Sequence, residues 1–382
     1  MTRFLFASDS FKGTLSSAQI AEILEDEAHK VFPEAECAAL PIADGGEGTV
    51  EAVLAACGGD YVSVLVEGPL GGSVEASYGI LPDGRCIIEL AAASGITLVE
   101  RDRLNPLRTS TVGFGQLIRH ALEHGARSVY LALGGSATND GGMGALRALG
   151  VRFLDAQGNE LYGRGEDLSK IASLDVSDLM PEVAEATFIV MCDVTNPLVG
   201  PKGATAVFGP QKGGSVEQLA ELERGMINYA QVIKRTLGVD VADLAGAGAA
   251  GGMGAAAAAF LSANLVSGID CLMDLAHFDD LLARADCCFT GEGRVDAQSL
   301  DGKVLSGVAR RCASASTPLY VIAGSISNDA HRLLDRGVTA LYPCVDASTP
   351  LEEALAHAEE NYRRTAARVF NELSRQNAEE AE

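Results

Sequence analysis

Four segments of the chain set carboxylates, cations and small polar side chains inside glycine-rich runs, and each follows an apolar stretch and leads toward a helix. In parallel α/β sheets, ligands sit outside the carboxyl ends of the strands, so such loops can converge on one ligand. The first is Ser8-Asp9-Ser10-Phe11-Lys12-Gly13-Thr14, where Lys12 stands within reach of a phosphate near the next helix start. A surface lysine beside Asp9 is the plainer alternative. The second runs Pro41-Ile42-Ala43-Asp44-Gly45-Gly46-Glu47-Gly48-Thr49. Asp44 and Glu47 suit Mg²⁺, directly or through water, and equally suit a helix cap and a first-turn acid. The third is Gly134-Gly135-Ser136-Ala137-Thr138-Asn139-Asp140-Gly141-Gly142-Met143-Gly144. Its backbone N–H groups, with the Ser136 and Thr138 hydroxyls, can cradle an anion. The fourth is Thr290-Gly291-Glu292-Gly293-Arg294-Val295-Asp296-Ala297-Gln298, followed by Gly302-Lys303. It offers acids, an arginine fork for carboxylate or phosphate, and a lysine at a helix start; Glu292 and Arg294 can also simply pair.

Two shorter segments belong with these. Cys192-Asp193-Val194-Thr195-Asn196-Pro197 puts a carboxylate at a strand end, and Phe208-Gly209-Pro210-Gln211-Lys212-Gly213 adds a cation in a turn. Gly246-Ala247-Gly248-Ala249-Ala250-Gly251 matches G-x-G-x-x-G, the pattern of a nicotinamide oxidoreductase. Asp240 and Asp243 interrupt the stretch before it, which therefore does not read as a buried strand. A Walker A loop is absent, because Lys303 is followed by Val304 and position 297 is Ala.

The elements that must carry these loops alternate. Short apolar runs at 3–7, 37–42 and 61–66 are separated by helical patterns ending near 31 and over 47–57, the βαβαβ rhythm of a doubly wound parallel sheet. Residues 74–81 and 85–90 flank Pro82-Asp83-Gly84, which is hairpin chemistry. Helices over 112–122, 141–149, 216–237 and 253–263, with strands over 128–133 and 188–192, complete a mixed α/β region. The last hundred residues return to alternation, with strands at 287–290, 319–323 and 340–344, helices at 304–312 and 330–334, and one long helix over 351–373. The expected architecture is a Rossmann-like doubly wound domain built from both termini (1–68 and 284–382). An inserted mixed α/β domain occupies 69–283, and the active site is expected in the cleft between the two.

Composition narrows the function. The 382-residue chain is 47% hydrophobic and 21% charged, as a globular protein is. A net charge of −23 argues against nucleic acid and anionic membrane surfaces as partners. Nine cysteines without a C-x-x-C pair read as free thiols in a reducing, cytoplasmic setting. The most apolar window, 252–265, is broken by Ser262 and Asn264 and falls short of a membrane span.

The segments DSFKGTLS, PIADGGEGT, GGSATNDGG, DVTNPL, VFGPQKG, GAGAAGGMG and TGEGRVDAQSLDGK occur in this order, and together they resemble the type 1 glycerate kinase family over about residues 3–370. The resemblance implies phosphorylation of D-glycerate by ATP with Mg²⁺, usually to 2-phosphoglycerate, on a fold like the one outlined above. It does not single out the catalytic base. Phosphoryl transfer needs positioning and charge neutralisation. On that chemistry Lys12, Arg294 and Lys303 serve the triphosphate and the substrate carboxylate. Asp44, Glu47 and Glu292 serve the metal, and either Asp193 or Asp296 accepts the hydroxyl proton. Gly134, Gly135, Ser136, Thr138, Asn139, Asp140 and Gly141 cradle an anionic group of the nucleotide.

Overall fold

The structure is a computed structural model and describes residues 1–11, 13–42, 45–296, 299, 303–346 and 348–380, with Lys303, Asn328, Asn377 and Glu380 described by their backbone only. The fold is α/β and comprises two compact units, Met1–Ala43 with Ile269–Glu382, and Asp44–Gly268.

Unit 1 is built on a five-stranded, wholly parallel sheet. Its order is Ala340–Pro343, Leu319–Ala323, Cys287–Thr290, Arg3–Phe6 and Glu36–Ala39. The three inner strands are nearly continuous apolar runs, as a parallel sheet covered on both faces requires. The N- and C-terminal segments meet in this sheet, where Phe4 sits opposite Cys287 and Phe6 opposite Phe289. Phe4, Phe6, Phe289 and Phe370 pack edge to face or tilted at the core. The first helix, Ser17–Val31, opens with a capping box: Ser16 Oγ accepts from Gln19 N and Gln19 Oε1 accepts from Ser16 N. The C-terminal helical stretch is divided at His357 into Leu351–Ala356 and Ala358–Glu380, because the backbone leaves helical geometry there.

Unit 2 holds a six-stranded mixed sheet in the order Asn264–Val266, Thr187–Met191, Ser128–Ala132, Cys86–Glu89, Ser73–Ile80 and Asp60–Glu67. The first four strands are mutually parallel. The last two form the expected hairpin side, with Ser73–Ile80 antiparallel to both its neighbours.

Here the structure departs from the boundaries read in the sequence. Asp60–Glu67 does not extend the N-terminal parallel sheet; all its residues pair antiparallel with Ser73–Ile80. The physical reason is the short link 68–72, which closes a hairpin, whereas a parallel return needs a crossover of a dozen or more residues. Helix Thr49–Cys57 goes with this sheet: a Cβ on Gly79 would lie 3.0 Å from Val50 Cγ1. The first junction therefore falls after Ala43 instead of 68, and the second after Gly268 instead of 283.

Candidate functional site

In unit 2 the segment 134–144 leaves the sheet at the carboxyl end of Ser128–Ala132, a central parallel strand. Gly134 donates its amide to Gly45 O at 3.1 Å. A Cβ on Gly134 would lie 2.4 Å from Gly46 Cα, so two of the glycine-rich segments meet backbone to backbone, and only glycine permits it. A Cβ on Gly45 would in turn lie 3.1 Å from the carbonyl oxygen of Met191, the last residue of Thr187–Met191. The 45–48 turn, the 134–141 loop and Asp193 thus gather at the carboxyl edge of two adjacent parallel strands.

Gly135 is the exposed point of this loop and has φ +74°. Its carbonyl accepts from Ile96 N at 2.8 Å, and Ala137 N donates to Ser94 O at 3.0 Å. Among the described residues, the amides of Gly135 and Ser136 themselves donate to no acceptor. Two consecutive amides around a left-handed glycine form a concavity suited to an anionic oxygen.

The rest of the loop faces inward. Thr138, Asn139 and Asp140 are 0% exposed. Asp140 accepts from Thr111 N and Thr111 Oγ1, both at 2.8 Å, and from the amides of Gly142 at 3.1 Å and Gly144 at 3.2 Å. Burial raises its pKa and these donors oppose the rise. Read in the sequence as facing the nucleotide, Asp140 is instead an internal cap for the helix Met143–Ala148. Asn139 Nδ2 donates to Thr205 Oγ1 at 3.1 Å, and Gly141 packs its Cα against the Tyr229 ring, where a Cβ would come within 2.6 Å. Asn139 Oδ1 and Thr138 Oγ1 have no partner among the described residues. Of the predicted cradle, Gly135 is exposed and Gly134 half-buried, and the rest from Ser136 onward is buried.

The helix after the second segment is closed in the same way. Glu89 ends the strand Cys86–Glu89 and accepts from Val50 N at 2.6 Å, at the start of Thr49–Cys57. Burial raises its pKa, opposed by the amides of Val50, Gly48 and Thr49. Both helix N-termini are thus filled by carboxylates of the chain itself, whereas the amides of the exposed Gly135 and of the buried Ser136 after it have no acceptor among the described residues. Beside them stand Glu47, which is exposed, and Asp193, half-buried, whose Oδ1 accepts from Ser267 Oγ at 3.1 Å and Gly268 N at 2.9 Å.

In unit 1 the starts of the first and fourth segments lie side by side beyond the strands Arg3–Phe6 and Cys287–Thr290. Thr290 Oγ1 donates to Ala7 O at 2.6 Å, and Asp9 N donates to Gly291 O at 3.0 Å. Glu292 follows, half-buried; Arg294 is exposed, with Nε 3.5 Å from Asp296 Oδ2. An exposed pair of this length contributes little stability and leaves the guanidinium open to an anion. A cavity of about 620 Å³ beyond Ala340–Pro343 is lined by Asp346, His357, Arg364 and Arg368 among others, and none of the motif residues lines it. Lys12 and Asp44 lie outside the described residues, and Lys303 is the first residue of the helix Lys303–Ala315.

Residues 4–374 match the model of the glycerate kinase family. The chain belongs to that family. It is 46% identical to the Bacillus subtilis glycerate kinase over 95% of its own length and 96% of the relative's. It is 44% identical to the Escherichia coli glycerate 2-kinase, covering 97% and 98% of the two chains. A crystal structure from Salmonella typhimurium LT2, provisionally named glycerate kinase 2, superposes with a TM-score of 0.87 at 44% identity over 99% of each chain. The protein is an enzyme of the kinase class. Among the described residues, no helix is long and apolar enough to cross a membrane.

One residue of this kinase carries more weight than its sequence context suggests. Lys212, met in the sequence as one more cation in a turn, is 1% exposed. Its Nζ donates to Ser136 Oγ at 2.8 Å and to Thr138 O at 2.6 Å. Burial drives its pKa down to about 7, against the opposing pull of Asp140. The available signal was the run of glycines at 209, 213 and 214, which marks a turn packed too closely for any Cβ. At Gly209 a Cβ would come within 2.3 Å of Leu219 Cδ2, and at Gly213 within 2.5 Å of Leu104 O.

Proposed function

We propose that this kinase transfers the γ-phosphoryl group of Mg-ATP to the 2-hydroxyl of D-glycerate. The observation that carries the reading is the pair of amides at Gly135 and Ser136 that, among the described residues, have no acceptor, on a turn whose Gly135 is exposed at the carboxyl end of a central parallel strand, in a chain that matches the glycerate kinase family over 4–374. The 2-position draws support from the name of the Escherichia coli relative.

The Gly135 and Ser136 amides receive an anionic oxygen of the nucleotide or of the glycerate carboxylate. Donors fixed before the ligand arrives cost no reorganisation when charge develops, and removal of one such donor is typically worth about 100- to 1000-fold in turnover. Asp193 is the better of the two base candidates. Its Oδ1 is pinned by Ser267 and Gly268, which fixes the direction of the carboxylate, whereas Asp296 Oδ2 lies 3.5 Å from Arg294 Nε and is engaged by that cation. Arg294 serves as an anion ligand. Glu47 and Glu292 supply hard oxygen donors of the kind Mg²⁺ takes. Bound Mg²⁺ would neutralise charge on the phosphate oxygens. Lys12, Lys303 and Asp44 keep the roles that their chemistry assigns.

The test is a coupled ADP assay. ADP forms from ATP when D-glycerate and a divalent cation are both present. Equal ATP hydrolysis without glycerate, or NAD-linked oxidation of glycerate in place of phosphorylation, contradicts the reading.

A further inference from the structure

Lysine is almost never fully buried without a carboxylate partner, because desolvating the ammonium costs several kcal/mol. Lys212 is buried, and the bonds of its Nζ go to a hydroxyl and a carbonyl, while Asp140 acts on it without a direct ion pair among the described residues. Its two hydrogen bonds go to one loop, at Ser136 Oγ and Thr138 O. A methionine would fill the same space at lower cost, so packing alone does not explain a lysine here.

The surroundings make the contact rigid. Lys212 ends the tight turn Pro210–Lys212 between the helices Ala204–Phe208 and Val216–Leu237. The glycines around it admit no Cβ: at Gly214 one would lie 2.5 Å from Leu219 Cδ2. From the preceding helix, Thr205 Oγ1 accepts from Asn139 Nδ2 at 3.1 Å. One short stretch, 205–212, thus grips Ser136, Thr138 and Asn139. On the opposite side Ser94 O and Ile96 N hold Ala137 and Gly135. The peptide planes that carry the Gly135 and Ser136 amides are fixed from both sides.

We propose that Lys212 is a positioning residue for phosphoryl transfer: it acts through Ser136 and Thr138 to hold the Gly135 and Ser136 amides in the orientation that receives an anionic oxygen. The inference rests on the role given above to those amides. It assigns Lys212 no contact with substrate. A misplacement of about 1 Å at such donors is enough to cost about 100-fold in rate.

The test is a double-mutant cycle on kcat and KM, with melting temperature measured in parallel. Lys212→Met is expected to lower kcat by roughly 100-fold in protein that remains folded, with a smaller effect on the KM for ATP. Lys212→Gln keeps a donor without the full reach; it gives an intermediate loss and serves as the measured variant if Lys212→Met does not fold. Gln211→Ala, an exposed neighbour, keeps wild-type kinetics. If Lys212 acts through Ser136, the Lys212→Met, Ser136→Ala double variant is little worse than Lys212→Met alone. Multiplying effects overturn the proposal, as does a Lys212→Gln enzyme with wild-type kcat or a loss matched by the unfolded fraction. Gly135→Ala separates the two levels. If that variant collapses while the Lys212 variants stay active, the positioning role fails and the anion site stands. If Gly135→Ala itself stays fully active, the anion site fails first.

Discussion

The Glu89 carboxylate sits 2.6 Å from the Val50 amide, so the helix start behind the second glycine-rich segment is already occupied by an acid of the chain. Asp140 fills the start of the helix Met143–Ala148 in the same manner. Two sites that would otherwise attract a phosphate through the helix dipole are therefore closed from within. What remains open is the glycine turn between them.

Glu89→Ala should consequently act on stability. It leaves the Val50 amide buried without its acceptor and costs about 1–3 kcal/mol. Chemical denaturation should show this loss, and kcat per folded molecule should stay within a few-fold of wild type.

Gly135→Ala and Gly248→Ala should part company. Gly135 has φ +74°, so an alanine there costs about 1–2 kcal/mol of strain, and its Cβ would lie 3.2 Å from Ala91 Cβ, a contact tight enough to shift the turn that carries the two amides. Activity should collapse in protein that still melts cooperatively. A Cβ on Gly248 would lie 2.3 Å from Pro197 O, a packing clash of about 1–3 kcal/mol. Its activity loss should follow the unfolded fraction, as turnover and melting temperature measured together will show.

Asp193→Asn keeps an oxygen to accept from Ser267 and Gly268 but no longer accepts a proton. Turnover should fall by about 100- to 10,000-fold with KM and melting temperature near wild type. Wild-type turnover would move the base role to Asp296.

The Lys212 side chain also predicts a pH dependence. Its folded pKa, about 7, lies below its ordinary value of 10.5. Between those values the unfolded chain binds more protons than the folded one, so this group raises stability with increasing pH, by up to about 1.4 kcal/mol per unit. The contribution is complete above 10.5 and is lost as pH falls through 7. The stability difference between wild type and Lys212→Met should therefore grow in favour of wild type from pH 7 to 9. A flat difference would contradict the depressed pKa.

Much of the fold was legible because unit 1 is written in continuous apolar runs with helices between them. The helix Val216–Leu237 and the strands Cys287–Thr290 and Leu319–Ala323 fall where periodicity puts them. The misplaced strand Asp60–Glu67 carried its own warning. Val62, Val64 and Val66 alternate with Tyr61, Ser63 and Leu65, the pattern of a half-exposed antiparallel strand. The site was legible as glycine loops but not as atoms. Composition marks Thr138 and Asp140 as polar loop residues, and only tertiary contacts with Thr111 and Lys212 turn them inward. Burial of Lys212 depends likewise on packing at Leu104 and Leu219, far away in sequence or on the next helix.

The central claim is tested most directly by the phosphorus NMR spectrum of the product formed from ATP, Mg²⁺ and D-glycerate. The account predicts ADP and 2-phosphoglycerate in equal amounts, with no reaction when glycerate is left out. A 3-phosphoglycerate product would contradict the assigned hydroxyl, and inorganic phosphate as the sole new species would contradict the kinase assignment for this substrate.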